Sequence, residues 1–461
     1  MSTPRVPRQP ASHVQRTEGP RAARSSCVGR STALHGAMAA FPFRGGDAMA
    51  FRLEEALANH NHASIFATVN IGTPPQPLRL LLDTSAGASW LFGENCSACA
   101  RRRCLSTRRS SSTRETNRSF SLRLRSGAGL EGHIVNESVA LGALRAVGQP
   151  IAVVDRWSGA EVLAPSDPRA PPECTALPNV LQPCQLRRGS GVLPGAFDGV
   201  LGLGLSSRAG RAPGEPASVL DALLEQNGVA DDVFALRASP HPGSGGGALH
   251  LGGYSARAHR GELRWHNCTS PRYWQLALDA VHVEAVAGGG RYAQPSCAGA
   301  GCEALLDSGS AFITGPVADV EPLLLALGVA ADCSGVEELP TLTFRAGGRD
   351  WALGPSEHVL RVRTARGVRC ASALVPHADP KATAWVLGAP FFRRHYAVFD
   401  RARHRIGLAE QRLHEAGTVA AAAAAAPRRA DQWLAARDAT SARIRAFFEG
   451  AAAQAQHSFE G

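Results

Sequence analysis

Residues 80–92 read LLLDTSAGASWLF: three leucines deliver Asp83 and a turn, and Trp90, Leu91 and Phe92 follow. An ionised carboxylate in such an apolar run needs a partner, because desolvating the charge outweighs what the neighbouring leucines gain by burial. A second copy of the pattern supplies one. In EALLDSGSAFITGP, residues 303–316, a short apolar strand again delivers an aspartate, Asp307, followed by a hydroxyl residue and a small one. Each turn is followed well downstream by two apolar residues and a glycine, Val200-Leu201-Gly202 in one case and Val386-Leu387-Gly388 in the other.

The chain therefore contains one unit twice, and a two-fold repeat puts one carboxylate on each side of the junction between its halves. Two carboxyl groups that meet cannot both ionise cheaply, so they share a proton. With a water held between them, the ionised partner draws off a proton as oxygen attacks a peptide carbonyl, and the protonated one donates to the developing oxyanion. This chemistry requires no metal and no cofactor.

The surrounding texture is strand and turn. From Ala63 onward ASIFATVNIG, PLRLLLDTS, SFSLRLRSG and HIVNESVALG are short apolar or alternating segments closed by Gly, Pro or Ser. PASVLDALLEQNG (216–228) and VADVEPLLLALG (317–328) have helical spacing and end on glycine, so a few short helices interrupt the sheets. GSGGGALHLGG (243–253) lacks a following Lys-Ser/Thr and reads as a hairpin turn, not a phosphate loop. The expected organisation is a basic disordered targeting or pro-segment over 1–62, a first β lobe with Asp83 over 63–240, a second with Asp307 over 241–410, and an Ala-rich helical or disordered tail over 411–461. Between Trp157 and Gly195 a Pro-, Arg- and Gly-rich stretch reads as a surface loop stapled by a Cys174–Cys184 bridge.

The formal charge of +10 over 461 residues raises nucleic acid as a partner, but its distribution argues otherwise. Only one of the 49 basic residues is a lysine, Lys381, a compositional bias rather than a selected phosphate-binding surface. No apolar run reaches the roughly eighteen residues of a membrane-spanning helix, so the expectation is a monomer acting on polypeptide, without nucleic acid or a stable membrane span. Eleven cysteines, and sequons at Asn95, Asn117, Asn136 and Asn267 among nine asparagines, favour an oxidising compartment and a glycoprotein. The N-terminus lacks the apolar core of a secretory signal; secretory pathway, vacuole- or lysosome-like compartment, or extracellular space is the expected location. Cys-Ser-Ala-Cys at 96–99 has no second ligand pair, so disulfide chemistry is expected there in place of zinc.

Residues 63–410 resemble the pepsin-like aspartic endopeptidases, the standard case of a shared-proton carboxylate pair. An ordered series carries the resemblance: NIGTPPQ before the first aspartate, Trp90 after it, then FDGVLGLG, LHLGGYS, RYWQLAL, CAGAGCEALLDSGS and WVLGAPFFRRHYAVFDRARHRIGLA. It implies a mainly β, bilobal fold, with two pseudo-two-fold related lobes, a cleft between them and a few short helices. It also implies hydrolysis of peptide bonds at acidic pH by Asp83 and Asp307, with Thr84 and Ser308 bracing the two turns and Ser85, Gly309 and Ser310 supporting the dyad. Leu124, Ser126 and Gly127 fall on the flap over the substrate, near Trp90. Cys99–Cys104, Cys297–Cys302 and Cys333–Cys370 become the implied disulfides, which leaves Cys27, Cys96 and Cys268 without mates. Part of 1–62 is then an inhibitory segment of a zymogen.

The resemblance breaks at three positions. The family's first turn runs Asp-Thr-Gly-Ser/Thr; here Ser85 replaces the glycine, and Ala86 removes a hydroxyl that favours the ionised aspartate, so Asp83 is expected to be harder to deprotonate, with partial compensation by the Ser85 hydroxyl. If position 85 needs a glycine-only backbone or a close approach, the serine strains the turn by about 1–2 kcal/mol. Leu124 stands where relatives carry a flap tyrosine that bonds the counterpart of Trp90, a loss of about 1–3 kcal/mol. These departures motivate a second reading, an impaired or inactive protein that binds peptide, protein or carbohydrate in the cleft. Retention of both aspartates argues for the enzyme.

Overall fold

The computed structural model describes residues 65–96, 103–124, 129–158, 197–205, 216–229, 231–239, 247–284, 292–293, 301–364, 367–377, 379 and 381–412. The segment 1–62, the Cys174–Cys184 loop, Cys27, Cys99, Cys297, Ser126, Gly127 and the tail beyond 412 lie outside these residues.

The chain is mainly β and bilobal, with few and short helices. In the first lobe β1 (Phe66–Ile71), β2 (Gln76–Asp83), β3 (Trp90–Phe92), β4 (Arg114–Arg123), β5 (Gly129–Leu141), β6 (Leu144–Ser158) and β7 (Gly199–Gly202) form one sheet, ordered β1-β2-β7-β3-β6-β5-β4. It curls far enough for β1 to pair with β5 as well. Its centre follows a distinct scheme. Strands β2 and β7 run parallel with Asp83 opposite Gly202, β7 runs antiparallel to β3 with Val200 opposite Trp90, and β3 runs parallel to β6. Fully apolar strands suit such a setting, being covered on both faces; Leu80, Leu81 and Leu82 are all buried.

The second lobe repeats the scheme. Cys302–Leu306 runs parallel to Trp385–Leu387, that strand runs antiparallel to Ile313–Gly315, and Ile313–Gly315 runs parallel to Leu374–Pro376. The glycines of the repeat have one steric job in both halves. A Cβ on Gly202 would lie 2.6 Å from the Ala86 carbonyl oxygen, and one on Gly388 would lie 2.1 Å from that of Phe312. Each glycine lets the loop after the aspartate settle directly onto the neighbouring strand.

A further sheet orders His259–Asn267, Arg405–Gln411, His395–Asp400, Val233–Arg237 and Ala248–Leu251. Val233–Arg237, on the first-lobe side of the expected division at 240, thus pairs with chain from the far end. The helical segments form as the spacing predicts. Val219–Gln226 is capped by Ser218, whose hydroxyl accepts from the Asp221 N–H, and Val317–Leu327 ends at Gly328 in the left-handed region (φ 58°).

Cys333 and Cys370 form the implied disulfide. Cys302 is disulfide-bonded as well. Cys96, left without a mate by the resemblance, is also disulfide-bonded, and Cys104 forms no disulfide, which corrects the expected Cys99–Cys104 bridge. The place of Cys96 in the buried cluster around Trp90 and Phe92 is where a cross-link and apolar packing act together.

Candidate active site

Strand β2 ends at Asp83 and Cys302–Leu306 ends one residue before Asp307, so both turns start from the edge of a covered apolar layer. The turns are cross-pinned. The Thr84 hydroxyl donates to the Leu306 carbonyl (2.7 Å) and accepts from the Ser308 N–H (3.0 Å); the Ser308 hydroxyl donates to the Leu82 carbonyl (2.7 Å) and accepts from the Thr84 N–H (3.1 Å). Both side chains are 0 % exposed. Buried hydroxyls with every group satisfied rigidify a site, whereas half-satisfied ones weaken it.

This exchange brings the carboxylates to one glycine. A Cβ on Gly309 would lie 2.6 Å from Asp83 Cγ and 2.7 Å from Oδ2, and the Gly309 N–H donates to Asp307 Oδ1 at 3.0 Å. Asp83 and Asp307 thus flank the same peptide, the first half-buried and the second buried. The opposite oxygen of Asp83, Oδ1, accepts from the Ser85 N–H (2.8 Å), the Ser85 hydroxyl (2.8 Å) and the Ala86 N–H (3.0 Å).

Three sequence expectations meet the structure here. The hydroxyl missing at Ala86 is replaced by that of Ser85, the partial compensation expected of it. Ser85 is absent from the described non-glycine residues at positive φ, which are Asn117, Cys333 and His404. Its backbone is therefore not of the glycine-only kind, and the close approach seen at Gly309 is the constraint that remains. Ser310, expected to reach Asp307, turns its hydroxyl to the Phe312 carbonyl (3.1 Å).

Trp90 lies beside this floor in an aromatic cluster, with ring centroids 5.2 Å from Phe92, 6.4 Å from Trp157 and 6.3 Å from Phe197. Leu124, at the end of the β4 arm, packs against that cluster with Leu122 and Ala86. An apolar contact replaces the hydrogen bond a tyrosine would make. Sequence reasoning gave no role to Asp198 of FDGVLGLG, which is 1 % exposed. Its carboxylate accepts from the Arg79 N–H (2.8 Å) and the Arg103 N–H (3.1 Å), tying β2 to the segment that leads into β7. The signal was available, since a buried acid within an apolar motif calls for donors.

Among the described residues no cluster of His, Cys, Asp and Glu is arranged to hold a metal ion, and no helix is long and apolar enough to cross a membrane.

Known proteins align over the same region. The family description "Eukaryotic aspartyl protease" matches residues 64–167 and 181–411. Cathepsin D of Bos taurus is 30% identical over 374 residues, spanning 78% of this chain and 87% of the relative. Cathepsin E-A of Xenopus laevis is 30% identical over 367 residues (77% and 81%), and cathepsin E of Cavia porcellus is 30% identical over 371 (77% and 83%). With the doubled strand scheme, the two aspartate turns and these alignments in agreement, the chain belongs to the eukaryotic aspartyl protease family.

Proposed function

We propose that Asp83 and Asp307 are the catalytic dyad of this aspartic-type endopeptidase, with Thr84 and Ser308 as the brace that sets their separation. The observation that carries the reading is the convergence of both carboxylates on Gly309. The pair holds one proton and a water. The water oxygen adds to the peptide carbonyl carbon, its proton passes to the ionised carboxylate, and the other carboxyl donates to the carbonyl oxygen. Proton return to the amide nitrogen then accompanies C–N cleavage, leaving a carboxyl and an amine product. A shared proton places the working range on the acidic side of neutrality. Trp90 and Leu124, packed in one apolar cluster, give the approach to the dyad its apolar side.

The substrate is a polypeptide, and the chain acts as a monomer without nucleic acid. An oxidising compartment of the secretory or lysosome-like kind is supported by the Cys333–Cys370 disulfide and by exposed sequon asparagines at 95, 117 and 267. The test is cleavage of a denatured protein between about pH 4 and 6 by the parent, Asp83→Asn and Asp307→Asn. Cleavage by the parent that both variants lack supports the dyad. Equal activity in parent and variants removes it, and a parent that binds peptide without cutting it would favour the binding-protein reading.

A further inference from the structure

Each side-chain hydroxyl carries one proton, so where it donates shows which group it serves. In the two turns Thr84 donates to the Leu306 carbonyl, Ser308 to the Leu82 carbonyl and Ser310 to the Phe312 carbonyl. The Ser85 hydroxyl donates to Asp83 Oδ1 at 2.8 Å. Ser85 and Ser310 have thereby exchanged the duties their positions suggest: the residue in the glycine slot touches a catalytic carboxylate, and the residue in the hydroxyl slot of the other turn touches backbone.

We propose that Ser85 is the positioning residue of Asp83, its hydroxyl making from one residue upstream the contact that Ala86 has lost, so that Oδ1 is held and Oδ2 is left to face the lobe junction. This rests on the dyad reading and deepens it. Three donors on Oδ1 occupy that oxygen fully, since a carboxylate oxygen offers about two lone-pair directions. Oδ2, the oxygen that would lie nearer an added Cβ on Gly309, is then the one available to a water or a shared proton. Without the Ser85 hydroxyl only the two backbone N–H groups would hold Oδ1.

The relocation carries a steric consequence. In the second lobe the matching position is Gly309, where an added carbon would lie 2.6 Å from the opposing aspartate's Cγ. Ser85 has such a carbon. The hydroxyl and the carbon can be separated by substitution, which makes the proposal testable apart from any general effect on the turn.

Four proteins are compared on one peptide substrate: the parent, Ser85→Ala, Ser85→Thr and the double variant Ser85→Gly/Ala86→Ser, each checked for an unchanged thermal midpoint. Ser85→Ala keeps the carbon and loses the hydroxyl; its kcat is expected to fall about 10- to 100-fold with KM within about twofold. Ser85→Thr keeps the hydroxyl, and the double variant moves it to position 86; both are expected to hold kcat within about threefold of the parent. A Ser85→Ala enzyme as fast as the parent overturns the proposal, and so does a double variant as slow as Ser85→Ala. If Ser85→Ala does not fold, the two hydroxyl-bearing variants decide alone, loss of kcat in both counting against it. A parent whose activity survives Asp83→Asn sinks the dyad reading itself; an Asp83-dependent parent indifferent to Ser85→Ala sinks only this one.

Discussion

Acidification from about pH 7 to about pH 4 should destabilise the protein by several kcal/mol, because the second-lobe sequence buries imidazoles in their neutral form. Burial pushes His250 down to about 4, with the Arg237 guanidinium acting in the same direction, while its Nδ1 meets the Tyr396 hydroxyl at 2.9 Å. His395 lies 4.5 Å from Phe391 and 5.4 Å from Trp351, centroid to centroid. Burial foremost, then Arg394, pushes it down to about 3; Arg349 adds to this and a backbone contact with Ala352 opposes it. In the unfolded chain both groups return to 6.5. A base depressed on folding is protonated first in the unfolded chain, so its contribution is complete above pH 6.5 and shrinks as pH falls toward the folded value. At about 1.4 kcal/mol per pH unit, the descent from 6.5 to 4 removes about 3 kcal/mol for each histidine, roughly 6 kcal/mol together. Burial lowers His259, His266 and His358 as well, with the same sign. A total stability of about 5–15 kcal/mol leaves little margin for that loss, so the acid end of the activity profile should be set by unfolding and not by the dyad. Urea midpoints at about pH 7, 5.5 and 4 for the parent and His395→Leu measure it. The parent is expected to lose stability steeply and the variant about half as steeply. Equal parental midpoints at the two extremes refute the reasoning, as does a variant with the parent's slope.

Two further substitutions probe the site. Gly309→Ala sets a carbon 2.6 Å from Asp83 Cγ; kcat/KM is expected to fall about 100-fold or more while the unfolding midpoint moves little, and unimpaired kinetics would show that the carboxylate is not held there. Thr84→Ala strips a 0 % exposed hydroxyl that donates to Leu306 and accepts from Ser308. It should lower stability by about 2–4 kcal/mol in urea unfolding, Thr84→Ser by under about 1, and an unaffected Thr84→Ala protein would dissolve the brace.

The parts of the molecule legible in the sequence are those that local pattern dictates. An apolar strand ending in Asp83 or Asp307 reads directly, and so do the glycines at 202 and 388, because each repeats in the other half and steric contact leaves one residue type. The helices over 219–226 and 317–327 announce themselves by spacing, by Ser218 and by Gly328. Hydroxyl direction does not read from sequence. Ser85 and Ser310 have a choice between carboxylate and backbone acceptors, and the turn's full geometry decides between them. Leu124 looked like a plain loss until the cluster of Trp90, Phe92, Phe197 and Trp157 supplied an apolar seat for it. That Cys96 is disulfide-bonded likewise does not follow from cysteine spacing alone. Nor does a sequence say which histidines are buried: His250 and His395 sit in ordinary strands and become acid-sensitive only through what packs over them.

The four crossed hydrogen bonds of Thr84 and Ser308 also have a mechanical meaning. They stitch the two aspartate turns to each other across the junction of the halves. A rocking of one half against the other that keeps these bonds would turn about them as about a fulcrum, leaving the carboxyl groups nearly in place. Bulky chains can be admitted and released without retuning the chemistry between visits.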